Sequence, residues 1–243
     1  MVRRMFLVIR LAKRLAVWAA VVGSLGFFAQ GVGAANKRTV PRVAGETPRN
    51  IIFVLADDHR FDAMGFAGHP FLETPNLDRM ARGGAWFPNA FVTTSLCSPS
   101  RASIVTGQYA HNHKVVDNYN PLPEGLIFFP EYMQAAGYET AFIGKWHMGG
   151  QRDVADAPAI TEYGFDVSLT NFEGMGPKLL PLTLKPGWAE PRRIWADAER
   201  LGQGARWMLR SKITGGFVDE AIVFIQKAAK ARKPFYINLW PDD

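Results

Sequence analysis

Cysteine occurs once among the 243 residues, at position 97, so the chain has no partner with which to close an internal disulfide. Acidic residues are missing from the first 35 positions, which hold five cations, Arg3, Arg4, Arg10, Lys13 and Arg14. No internal repeat is present, which excludes solenoids and propellers. The one long apolar run, LAVWAAVVGSLGFF, is short for a membrane span. Disorder is excluded as well, because 48% of the residues are apolar.

What is there at the start is an ordered set of export signals. A basic opening, MVRRMFLVIRLAKR, precedes the apolar run, and small residues follow at Gly33, Ala34 and Ala35. That order predicts a secretory signal peptide over 1–35. The Arg3-Arg4 pair also suits a twin-arginine signal, so Sec and twin-arginine routes both stay open. Removing the leader's cations takes the net charge from +6 to +1. The basic balance therefore belongs to targeting and does not indicate nucleic acid. Membrane contact is expected only through this signal, and the mature protein is expected in the periplasm or outside the cell.

KRTVPRVAGETPRN (37–50) is rich in proline and charge, and residues 36–49 read as a linker. The remaining 50–243 suffice for one domain. NIIFVLADD (50–58) has the pattern of a buried parallel strand. TPNLDRMARGG (74–84) reads as a helix with Thr74 as N-cap and Pro75 at its first position. AWFPNAFVTT (85–94) reads as extended, though Pro88 excludes a regular central strand. FPEYMQAAG (129–137) predicts a helix, YETAFIGK (138–145) a strand, FVDEAIVFIQKAAKA (217–231) an amphipathic helix and PFYINLW (234–240) a strand. Residues 150–214 read as a long irregular excursion. Strands alternating with helices imply an α/β fold, a mostly parallel sheet sandwiched by helices. Ligands of such sheets bind outside the carboxyl ends of the strands. Asp57-Asp58, Lys145-Trp146-His147 and Asp242-Asp243 all follow strand ends there.

Asp57 and Asp58 converge only if the chain turns at that point, because successive strand residues face opposite ways. Their paired charge calls for a cation, and hard carboxylate oxygens favour Ca²⁺ or Mg²⁺. A solvated turn is the competing reading. Cys97 precedes Ser-Pro-Ser-Arg. Pro99 suits a first helical turn, Ser98 is a candidate cap, and Arg101 lies one turn on. A helix N-terminus beside an arginine holds oxyanions and activates a thiol, whereas a buried inert cysteine is the plain alternative. Of the histidines, His59 reads as a loop residue with pocket lining as the alternative, His69 has no partner apparent in the sequence, and His111 and His113 read as a possible pocket rim. The tryptophans read mostly as core, with Trp195 and Trp207 as candidates for sugar stacking.

CSPSRASIVTG resembles the signature of the sulfatase family: a cysteine, any residue, Pro-Ser-Arg, and a closing Thr-Gly, here Cys97, Pro99, Ser100, Arg101, Thr106 and Gly107. NIIFVLADD resembles that family's first strand with its metal-binding acids. TPNLDRMARGGAWFPNAF resembles its next helix-and-strand unit, and GYETAFIGKWHMG the segment with a functional lysine and histidine. The resemblance implies an alkaline-phosphatase-like fold and hydrolysis of aryl or carbohydrate sulfate esters. It implies that Cys97 is oxidised to formylglycine by a maturation enzyme, and that Asp57, Asp58 and modified Cys97 are ligands to a divalent ion, usually Ca²⁺ with Mg²⁺ an alternative. Arg101, Lys145 and His147 take catalytic roles. One hydroxyl of the hydrated aldehyde attacks sulfur and displaces the alcohol, and the second expels sulfate as the carbonyl re-forms.

Family members continue past the point where PFYINLWPDD stops, into a further histidine, an Asp-Asn pair and a second lysine. The chain is thus expected to be the N-terminal portion of a sulfatase, inactive or nearly so by itself, with its last strand short of sheet neighbours. Asp242 and Asp243 are not substitutes for the absent ligands. A phospho- or phosphonoester hydrolase of the same wider fold and a non-catalytic exported remnant are the alternatives.

Overall fold

The computed structural model describes residues 7–8, 40–41, 44–120, 122–123, 125–148, 160–171, 181–184, 206–209 and 212–241. Most of the expected leader and linker, Trp195 and the Asp242-Asp243 pair lie outside them.

Five strands form the main sheet, in the order β1 (Leu7–Val8), β2 (Ile51–Val54), β7 (Phe235–Trp240), β3 (Glu139–Lys145) and β4 (Val167–Asn171). β2, β7, β3 and β4 run parallel, and only the two-residue β1 is antiparallel. β5 (Pro181–Leu184) and β6 (Arg206–Leu209) pair as a separate parallel ribbon.

The apolar runs become central strands because both of their faces are covered. Phe142, Tyr236 and Trp240 pack against α2 (Cys97–Thr106) and α4 (Phe129–Ala135) through Ala102, Val105 and Met133, together with Phe128 just before α4. Ala141, Ile143, Phe235 and Ile237 pack on the opposite face against α5 (Ile213–Lys230), through Phe217, Ala221, Phe224 and Ala228. A mostly parallel sheet with helices on both sides is therefore the observed architecture.

The structure corrects three local readings. β7 does not lack neighbours: it sits in the middle of the sheet, paired to β2 through Ile51–Val54 and to β3 through Glu139–Gly144. The stretch 150–214 is not wholly irregular, since it supplies β4, which pairs with β3 from Ala141 to Lys145. The short VSLTN carries too little apolar signal to announce itself. Residues 85–94 contain no strand, in keeping with Pro88. Thr74 does precede α1 (Pro75–Gly83), but its hydroxyl accepts the amide of Gly65 at 2.9 Å and donates to Asp78 at 2.7 Å, with no bond to a first-turn amide of α1.

Candidate active site

The chain runs from β2 to β3 and leaves a gap that β7 fills later. Such a reversal of strand order opens a crevice at the carboxyl edge of the sheet. Two residues in the left-handed region stand at that edge, Asp58 with φ 48° after β2 and His147 with φ 50° after β3. Non-glycine residues adopt this conformation at a cost of about 1 kcal/mol or more, so the surrounding contacts must hold it. The turn at Asp58 separates the two acids: Asp57 is buried and Asp58 exposed. Asp57 Oδ1 accepts the Asp58 amide at 3.1 Å.

α2 starts at Cys97 itself, with Leu96 in the N-cap position. Ser98 is not the cap, because it already lies within the helix. Its hydroxyl donates to the His147 carbonyl oxygen, and its amide donates to Asn118 Oδ1 at 3.0 Å. The helix buries nearly its whole length, from Ser98 to Ser103 and again at Val105, and closes on Gly107 with φ 68°. Glycine takes that left-handed stop without a Cβ penalty.

Arg101, fully buried one turn along, donates from Nη1 to the Lys145 carbonyl oxygen at 2.7 Å. Its Nη2 lies 3.5 Å from Asp57 Oδ2, and its guanidinium carbon stands 5.1 Å from the centre of the Trp240 ring. Lys145 Nζ sits 2.5 Å from the same Asp57 Oδ2 and 3.9 Å from Cys97 Sγ. Four residues from three separate segments thus meet in one cluster, with Asp57, Arg101 and Lys145 buried and Cys97 half-buried. His147 joins it through its backbone. One buried carboxylate oxygen faces two cations, so the cluster carries an excess of positive charge that favours an incoming anion.

The acids fit a hard divalent ion in kind. In number they fall short: no group of three His, Cys, Asp or Glu side chains that could hold a metal exists among the described residues.

The remaining histidines go elsewhere. His59 Nε2 donates to Ala63 O at 2.9 Å, closing a local turn. His69 Nδ1 accepts the Leu72 amide at 3.1 Å. His111 is exposed and stacked on Tyr109. His113 is not on a pocket rim but fully buried, with Nδ1 accepting the Val115 amide and Nε2 at 2.9 Å from Ser103 Oγ. Nδ1 being an acceptor, the ring is the neutral form with its proton on Nε2. Burial lowers its pKa below the ordinary histidine value. Asn118 escaped sequence reading because a lone asparagine in a polar loop carries no periodic signal.

A sulfatase family model matches residues 49–239. The chain is 44% identical over 104 residues to N-acetylglucosamine-6-O-sulfatase of Bacteroides thetaiotaomicron, covering 42% of this chain and 19% of that protein. It is 30% identical over 229 residues to N-acetylgalactosamine-6-sulfatase of Canis lupus familiaris, covering 86% of this chain and 40% of the relative. Among solved structures, the complex of Ps i-CgsB with k-i-k-neocarrahexaose matches with a TM-score of 0.62 at 26% identity, over 81% of this chain and 45% of that one. A complex with the substrate D-glucosamine-2-N,6-O-disulfate matches with a TM-score of 0.57 at 29% identity, over 80% and 34%. The chain thus spans from a fifth to two fifths of the length of these two curated relatives. With a model that matches most of its residues, the chain belongs to the sulfatase family.

Proposed function

We propose that this chain is the N-terminal catalytic portion of an exported sulfatase acting on carbohydrate sulfate esters, with Cys97 converted to formylglycine. The observation that carries this reading is the meeting of Cys97 with Lys145, Arg101 and Asp57 at the switch point of the sheet. Hydrolases of sulfated sugars among the relatives and neighbours support the substrate class.

Position 97, once oxidised and hydrated, supplies a nucleophile with a second hydroxyl through which sulfate is released. Asp57, Asp58 and the modified residue 97 would hold a divalent ion, Ca²⁺ by preference and Mg²⁺ otherwise, which lowers the charge density on the ester's oxygens. Lys145 stands 3.9 Å from the nucleophilic position and offers an ammonium to an incoming anion. Arg101, pinned by its bond to the Lys145 carbonyl, fixes the spacing between α2 and β3 and keeps positive charge under the site. His147 is the side chain able to move a proton near neutral pH. A sulfate ester is an anion, and these cations at a concave edge draw it in.

Export through the leader and reading of the Cys-x-Pro-Ser-Arg segment by a maturation enzyme belong to the same proposal. Among the described residues no helix is long and apolar enough to cross a membrane. Mass spectrometry of the tryptic peptide 83–101, from protein matured in a host that modifies such segments, tests the reading. An aldehyde at residue 97 is the expected result; a thiol retained in all of that protein refutes it. With so short a span of its relatives, the 243-residue chain is expected to turn over a chromogenic sulfate ester slowly or not at all.

A further inference from the structure

Ser98 has both of its donors committed across the candidate site. Its amide goes to Asn118 in the loop after α3 (Ala110–His113), and its hydroxyl to the carbonyl of His147 in the loop after β3. The side chain is 1% exposed, so no water competes for either bond. Three segments distant in sequence therefore join at one residue, next to Cys97.

The Asn118 side of this junction is braced by its own loop. Asn120 Oδ1 accepts the amides of Val116 and Asp117 at 3.0 and 3.2 Å, and Asp117 Oδ1 accepts that of Tyr119 at 2.8 Å. His113 ties the start of the loop to α2 through Ser103. The His147 side is the opposite case, a residue in the left-handed region with φ 50°. A conformation of that cost persists only where contacts over-determine it. The Ser98 hydroxyl is one such contact, and its acceptor belongs to the strained residue.

We propose that Ser98 is a positioning residue: its hydroxyl, anchored through its amide to Asn118, holds the left-handed turn at His147 and so sets that imidazole relative to residue 97. The proposal rests on the functional reading only in treating His147 and Cys97 as members of one site. It gives the variable second position of the Cys-x-Pro-Ser-Arg segment a role in the folded protein.

Proton–nitrogen correlation spectra of the full chain, labelled at histidine nitrogens and held at one pH, test this without turnover. Ser98→Ala is expected to shift or broaden the His147 ring signals and leave those of His113, which report on the fold, unmoved. Ser98→Thr, which keeps the hydroxyl, is expected to restore them. Unchanged His147 signals in Ser98→Ala overturn the proposal, as do displaced ones in a Ser98→Thr protein whose His113 is native. Should Ser98→Ala fail to fold, amide exchange in the unmodified chain decides. Slow exchange at Ser98 together with a single sharp His147 ring signal supports the junction; fast exchange at Ser98 overturns it. None of these outcomes depends on whether the chain hydrolyses sulfate esters, which the peptide mass and turnover measurements decide separately.

Discussion

Asp57 and Asp58 are adjacent and chemically alike, yet the fold gives them different environments. The Asp57 side chain is 5% exposed and its Oδ2 serves both Lys145 and Arg101, whereas Asp58 is exposed. Truncating one partner of a buried ion pair leaves an uncompensated charge, which typically costs about 3–5 kcal/mol. Lys145→Met is expected to lose somewhat less, about 3 kcal/mol, because Arg101 still faces the carboxylate. Asp58→Asn should stay within roughly 0.5 kcal/mol, as an exposed substitution does. Urea unfolding of the two variants side by side checks both values. His113 contributes a pH dependence of known sign. Its pKa is lower folded than unfolded, so between the two values the unfolded chain binds more protons. Stability from this residue is full above the unfolded value of about 6.5 and declines as pH falls through the folded one. Denaturant midpoints measured from pH 7.5 down to 5 should drop, and His113→Asn should flatten that part of the profile. Neutral, buried His113 was not visible in HNH, because spacing shows which residues are near in sequence and not which helix covers them.

At the scale of elements, the segments with strong periodicity or clear caps were readable. The strands at 51–54, 139–145 and 235–240 and the helices near 75, 129 and 213 lie within a few residues of their sequence-based limits. β4 was missed, since a five-residue polar strand is defined by its partner β3 rather than by its own pattern. The end of β3 also depends on a partner. Gly144 has φ 123°, and a Cβ built there would lie 2.0 Å from the Trp240 carbonyl oxygen. That atom belongs to the central strand and has nowhere to retreat. Gly144→Ala is therefore expected to cost more than about 3 kcal/mol, combining a forbidden backbone region with a backbone clash. Because it pushes β3 from β7 one residue before Lys145, a thermal melt should show the loss even where Lys145 itself is unchanged. Gly107→Ala, with open space around its Cβ, should cost only about 1 kcal/mol through its left-handed φ.

For the whole molecule, insertion of β7 between β2 and β3 is the decisive feature, since it creates the crevice and brings Trp240 beneath Arg101. The outer face of α5 carries Val218, Ile222 and Val223, all exposed on one helix. A contiguous apolar stripe of this kind promotes association. Replacing Ile222 and Val223 by lysine is expected to reduce self-association and binding of a hydrophobic dye. Stability should change by no more than about 0.5 kcal/mol, because neither side chain is buried. Light scattering and a thermal melt together check this.

The order of the strongly patterned strands and helices, the family and the residue types of the candidate site were determined by the sequence, because apolar periodicity, capping and a compact signature are local properties of the chain. Tertiary structure alone decided that β7 is central, that one acid of the pair is buried and one exposed, and that Ser98 faces His147 across 49 positions. Those facts depend on which segments lie side by side once loops close. Burial and hydrogen bonding are properties of that packing, and no short stretch of residues encodes them by itself.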